Sequence, residues 1–131
     1  MSFPEKWLRS QLGSATTAGI HPVLASQNAP YPLVVYRRVS TTRERGLGGN
    51  FGVPVAVFSL SIVSESYSEV KSIADQIRVA LDNFTGEAAG AKIVLSSLTT
   101  ESDSMERPRD GQAKPLYRVD QSYEVRFQET T

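Results

Sequence analysis

The chain has 131 residues, with 14 basic and 14 acidic side chains, one histidine and no cysteine. That length suits a single domain, 1–131, with a real core. The balanced charge argues against a global electrostatic grip on nucleic acid, and the lack of cysteine excludes disulfides, thiol catalysis and cysteine–zinc sites. No apolar run reaches the ~20 residues of a membrane helix. The start, MSFPEKWLRSQL, lacks the apolar core of a signal peptide. A soluble protein made in a cytoplasm is therefore expected.

In chain order, Ser2 caps a short helix with Pro4 in its first turn, Trp7, Leu8 and Leu12 on its apolar side, and Gly13 at its end. Residues 14–32 contain Ile20-His21-Pro22 and Ala29-Pro30-Tyr31-Pro32, a proline density that favours irregular extended chain. Leu33 to Ser40 reads as a strand. TTRERGLGGNFG at 41–52 is too long for a tight hairpin and predicts an extended arm or loop.

The most periodic stretch runs from Pro54 to Phe84. Ala56, Phe58, Leu60 and Ile62 alternate on one strand face, with Val55, Val57, Ser59 and Ser61 on the other. Val70, Ile73, Ala74, Ile77, Ala80, Leu81 and Phe84 then repeat at helical spacing. Ser66 and Glu69 have capping-box spacing, and Thr85-Gly86 reads as the stop. A strand follows from Lys92 to Thr100, with Ile93 and Leu95 opposed to Val94 and Leu98. Residues 101–115 read as a polar loop. Leu116 to Phe127 is a half-buried strand, with Tyr117, Val119, Tyr123, Val125 and Phe127 inward.

The pattern predicts an α+β domain in the order α-β-β-α-β-β. Two helices pack on one face of a mostly antiparallel four-stranded sheet, and a long loop joins the first two strands.

A reaction centre is hard to assemble. His21 is the only candidate general base and stands beside Pro22. Glu101, Asp103, Glu106 and Asp110 lack the spacing of a calcium loop. GLGGNFG lacks the Lys-Ser/Thr of a phosphate loop, puts Phe51 where a third glycine is needed, and precedes a strand. The expectation is therefore no enzyme, no cofactor and no metal. Arg37, Arg38, Arg43 and Arg45 make a local basic run, interrupted by Glu44.

In their order along the chain, these segments resemble the tail completion, or tail terminator, proteins of long-tailed bacteriophages. The resemblance rests on Ile20-His21-Pro22 after a short helix and on the Pro-led strand Pro32 to Ser40. It continues through the glycine-bearing loop, the strand Val55 to Val63 and the Ser-Tyr-Ser-Glu entry into a helix. It ends with Tyr123-Glu124-Val125-Arg126-Phe127. Phe58-Ser59 departs from the larger aromatic expected near the end of the central strand.

The resemblance implies a structural virion protein. Such a protein forms a ring, hexameric in the family, that caps the tail tube at its head-proximal end and offers the head–tail joining surface. Its partners would be its own copies, the tail tube protein and a head–tail connector or neck protein, with DNA only passing through. Assembly would take place in the host cytoplasm. Three sets of residues are candidates for that work. Arg43, Arg45, Leu47 and Phe51 form a contact loop; Val53, Val55 and Val57 form a subunit-contact strand face; Glu101, Asp103 and Glu106 form an acidic channel-lining loop. The competing readings are a neck adaptor and a cytoplasmic ligand- or nucleic-acid-binding module.

Overall fold

The structure, a computed structural model, describes residues 3–22, 31–42, 54–88, 91–106 and 115–128. Its elements are α1 (Phe3–Ala15), β1 (Gly19–Pro22), β2 (Leu33–Thr42), β3 (Val55–Ser64), α2 (Tyr67–Leu81), β4 (Phe84–Ala88), β5 (Ala91–Glu106) and β6 (Leu116–Gln128). The strands form one sheet in the order β1-β2-β3-β6-β5-β4. β1 runs parallel to β2, and every other neighbouring pair is antiparallel. The sheet curls into a half-barrel.

This overturns the expected four-stranded antiparallel sheet and its element order. The two additional strands have physical reasons for escaping notice. β1 is only Gly-Ile-His-Pro, too short for alternation to show. β4 begins two residues after α2 and contains Gly86, which reads as a helix stop. The chain instead leaves α2 through Asp82, whose N–H donates to the Arg78 carbonyl, and Asn83, whose φ of 61° lies in the left-handed region. Asparagine tolerates that conformation better than most residues. Phe84, read as a helix position, sits in β4 with its ring 5.3 Å from that of Trp7. Helix α1 likewise runs through Gly13 to Ala15.

The core lies between the helices and one face of the sheet. Ala56, Phe58, Leu60 and Ile62 of β3 are fully buried there. They meet Val70, Ile73, Ala74, Ile77 and Leu81 of α2, Trp7, Leu8 and Leu12 of α1, and Val119, Tyr123, Val125 and Phe127 of β6. The period-2 face of the strand and the three-and-four face of the helix thus close on one another.

Strand β5 breaks its own alternation twice. Register shifts lie between Ile93 and Leu95 and between Leu98 and Thr100. Each inserted residue, Val94 and then Thr99, reverses which side chains face inward. Ile93 and Ser96 are therefore buried while Leu95 is exposed, against the expected pairing of Ile93 with Leu95. β5 also continues through Glu106, so 101–106, read as the start of a polar loop, is strand.

Two polar devices fix how α2 meets the sheet. Ser66 caps α2 by accepting from the Glu69 N–H at 3.4 Å. The return half of the capping box passes through Ser64. The Ser66 N–H donates to the Ser64 hydroxyl, which donates to the Glu69 carboxylate. Ser64 is buried at the end of β3, so this relay ties the last strand residue to the first helical turn. Deeper in, the Gln121 amide of β6 donates to the Ala74 carbonyl at 3.1 Å and accepts from the Tyr123 hydroxyl at 2.9 Å. Burial raises the Tyr123 phenol well above its ordinary pKa, so it remains a donor. A buried network satisfied in this way holds register, because a slip would orphan its polar groups.

Ser64→Ala removes the relay and leaves the Ser66 N–H without its acceptor. A loss of about 1 kcal/mol is expected, the usual size of a cap deletion, read as a lower urea midpoint with an unchanged slope. Ser68→Ala, which leaves the relay intact, should unfold near the wild-type midpoint.

Candidate assembly interface

Among the described residues, the helices cover one face of the sheet and leave the other open. On that open face β3 presents Val55, Val57, Ser59, Ser61 and Val63, all half-buried. Their cross-strand partners on β6 are Arg126, Glu124, Ser122, Asp120 and Arg118. On β2 the partners are Thr42, Ser40, Arg37, Val35 and Leu33. The surface has an apolar centre line bordered by hydroxyls and paired charges. Arg118 Nε lies 3.1 Å from the Asp120 carboxylate, which also accepts from the Ser61 hydroxyl, and Arg126 lies 3.1 Å from Glu124. Paired in this way, the charges give the face little net field.

Val55 and Val57 are where the expected strand face requires them. Val53 lies outside the described residues, as do Arg43, Arg45, Leu47 and Phe51 of the expected contact loop. Val35 and Val63 belong to the same open face and were missed. Their signal was available, since Val63 continues the period-2 row of Val55 and Val57. The basic run divides. Arg37 is exposed, whereas Arg38 turns toward α1, where its guanidinium lies 2.9 Å from Glu5 and 5.8 Å from the centre of the Phe58 ring.

Two of the acidic candidates, Glu101 and Asp103, sit on the helix side of β5. Asp103 receives the Lys71 ammonium at 3.2 Å and the Tyr67 hydroxyl at 3.0 Å. The Glu101 carboxylate accepts from the Gln121 amide at 2.6 Å. Glu106 is the last residue of β5. Lys71 therefore reaches across to β5, while Asp75 and Arg78 pair along α2 at 3.9 Å.

The two edges of the sheet are stepped. β4 pairs with β5 only from Ala91 to Ser96, and the Leu98 N–H is taken by the Asp82 carboxylate. Among the described residues, nothing pairs with the outer edge of β5 from 100 to 106. At the opposite edge, β1 covers β2 only from Leu33 to Tyr36, and its own outer edge carries no strand among the described residues.

His21 is half-buried, with its ring folded over Gly19. Among the described residues, no group of three or more His, Cys, Asp or Glu is placed to hold a metal ion, and no helix is long and apolar enough to cross a membrane.

The Lys71 ammonium, and then the Tyr67 hydroxyl, hold the Asp103 carboxyl below its ordinary pKa; the Asp103 contact raises Lys71 and Tyr67. A carboxyl depressed on folding contributes above its unfolded pKa and loses that contribution as pH falls through its folded value. A raised lysine loses its contribution only as pH rises through its own folded value. The clip between α2 and β5 therefore spans the range between the carboxylate and ammonium titrations. Lys71→Ala should move the Asp103 titration upward toward that of a free aspartate, followed by carboxyl NMR. An unchanged midpoint would remove the ammonium as the cause.

Residues 7–128 match the family model described as tail completion protein gp17. No curated protein matches in sequence. A chain from the virion of a native gene transfer agent particle superposes with a TM-score of 0.68 at 12% identity, covering 93% of this chain and 92% of that one. A second solved structure reaches a TM-score of 0.50 at 15% identity, covering 98% of this chain and 93% of the other. At those identities the superpositions speak for the fold, while the family model spans almost the whole sequence. The chain belongs to the tail completion protein gp17 family and is a structural protein of the bacteriophage tail.

Proposed function

We propose that this protein forms a ring, hexameric as the resemblance implies, that closes the head-proximal end of the tail tube and provides the surface to which the head attaches. The family match over residues 7–128 carries the reading. The place of the similar chain in a gene transfer agent virion is in keeping with it. Its partners are further copies of the same chain, the tail tube protein and a connector or neck protein, with DNA passing through unread.

The geometry offers what a ring subunit needs. Cyclic assemblies larger than a dimer use heterologous contacts, in which two different patches of one subunit meet. The sheet has two unlike edges and one open face. In this reading Val53, Val55 and Val57 meet a neighbouring subunit. The segment holding Arg43, Arg45, Leu47 and Phe51, which joins β2 to β3 in sequence, adds a second contact. Glu101, Asp103 and Glu106 belong to the β5 edge rather than to a free acidic loop.

Deleting Gly46 to Asn50 should leave a monomer with wild-type circular dichroism that forms no rings. The concentrated wild-type protein should show rings with a central hole in negative stain and a matching solution mass. Normal rings from the deletion would remove the segment from the interface. A wild-type protein that stays monomeric at every concentration, with label on particles away from the tail–head junction, would contradict the ring reading.

A further inference from the structure

The stepped edges of the sheet fit one another. Cross-strand partners connect one edge to the other. Pro22 pairs with Tyr36, Tyr36 with Leu60, Leu60 with Gln121, and Gln121 with Glu101. Gly19 leads in the same way through Leu33, Val63 and Arg118 to Ser104. β1 therefore occupies the same rows at one edge as the uncovered 101–104 segment of β5 at the other. β4 fills only the far end of β5, opposite Ala91 to Ser96, and so leaves that gap open.

We infer that β1 of one subunit adds to the outer edge of β5 in the next, pairing Gly19–Pro22 with 101–104; this rests on the ring reading above. Three properties of the sheet favour a second copy of this chain as the occupant. First, the rows coincide, so the joint needs no shift along the strands. A stagger repeated at each joint would produce an open helix, whereas its absence permits closure. Second, the directions agree. β1 is parallel to β2, and three successive antiparallel pairings separate β2 from β5, so β1 runs opposite to β5. A rotation about an axis along the strands preserves direction and makes the new pair antiparallel, the more stable kind. Third, the length is accommodated, since the four residues of β1 fit within the uncovered stretch 100–106. β1 ends at Pro22, which has no N–H to offer further on, and fits a gap closed above by β4.

The β5 edge is built to be used. From 100 to 106 it has no proline, no glycine and no register shift, and natural proteins use such features to blunt an edge that must remain unpaired. From 100 to 105 its exposed side chains are acidic and hydroxylic apart from Met105, a mostly polar row that discourages unspecific pairing while leaving the backbone groups available. Strand addition supplies main-chain hydrogen bonds from such an edge. Ile20 enters the row of Asp103, on the helix side. His21 enters the row of Ser102, on the open face beside Ser61 and Asp120.

The chain has no cysteine, so cysteine placement is a clean test. A His21→Cys, Ser102→Cys double variant, concentrated to ring-forming conditions and treated with a short bismaleimide, should give a ladder of covalent multimers. Each single variant should remain monomeric on the denaturing gel, and so should a Val79→Cys, Ser102→Cys pair, which uses an exposed residue of α2. Rings of normal appearance without a ladder would overturn the strand joint while leaving the ring reading in place. Equal ladders from a single variant or from the Val79 pair would also overturn the joint. Absence of both rings and ladder would overturn joint and ring together.

Discussion

The structure depends on the closure of α2 against β3 and β6. Two residues separate the end of β3 from the start of α2. Across that short turn a period-2 apolar row must meet a period-3.6 apolar stripe, and both are buried completely except for the rim. Burying a large aliphatic side chain stabilises by roughly 1.5–3 kcal/mol, and α2 contributes several. The Ser64–Ser66–Glu69 relay sets the angle at which the helix leaves the strand. Gln121 then fixes its height, since the Ala74 carbonyl and the Tyr123 hydroxyl are both satisfied from that one side chain. α1 adds its Trp7, Leu8 and Leu12 to the same core and reaches β4 through the Trp7–Phe84 ring contact.

Closure on one side determines what remains for assembly on the others. With both helices on a single face, Val35, Val55, Val57 and Val63 of the opposite face are shielded, among the described residues, by the sheet alone. With β1 and β4 so short, the strands they flank are covered along only part of their length. The result is a small scaffold with one face free of helices and two stepped edges. Its polar residues are engaged in holding elements together: Asp103 with α2, Arg38 with α1, Asp120 with Ser61 and Arg118.

Much of this was legible where side-chain period was unbroken. β3 and α2 could be read because their apolar residues repeat without interruption, and β6 because Gln121 alone interrupts its inward row. Legibility failed where backbone devices replace period. β1 and β4 are too short to show alternation, the two bulges of β5 reverse its inward face, and Asn83 does the turning that Gly86 suggested. The burial of Gln121 depends on partners, Ala74 and Tyr123, that only the fold brings together. The acidic residues were legible as a cluster but not as strand, since nothing in Glu-Ser-Asp-Ser-Met-Glu favours a ladder except the β6 strand beside it. The stepped edges were invisible from sequence, being a property of strand order.

Amide hydrogen exchange on the free and the assembled protein tests most directly the claim that α2 and the central strands are a fixed scaffold and that assembly works at their margins. Protection should rise on assembly in 19–22 and 100–106, with little change in β3, β6 and α2, which are already slow in the free subunit. A gain confined to α2 or to the β3–β6 centre, with both edges unchanged, would contradict it.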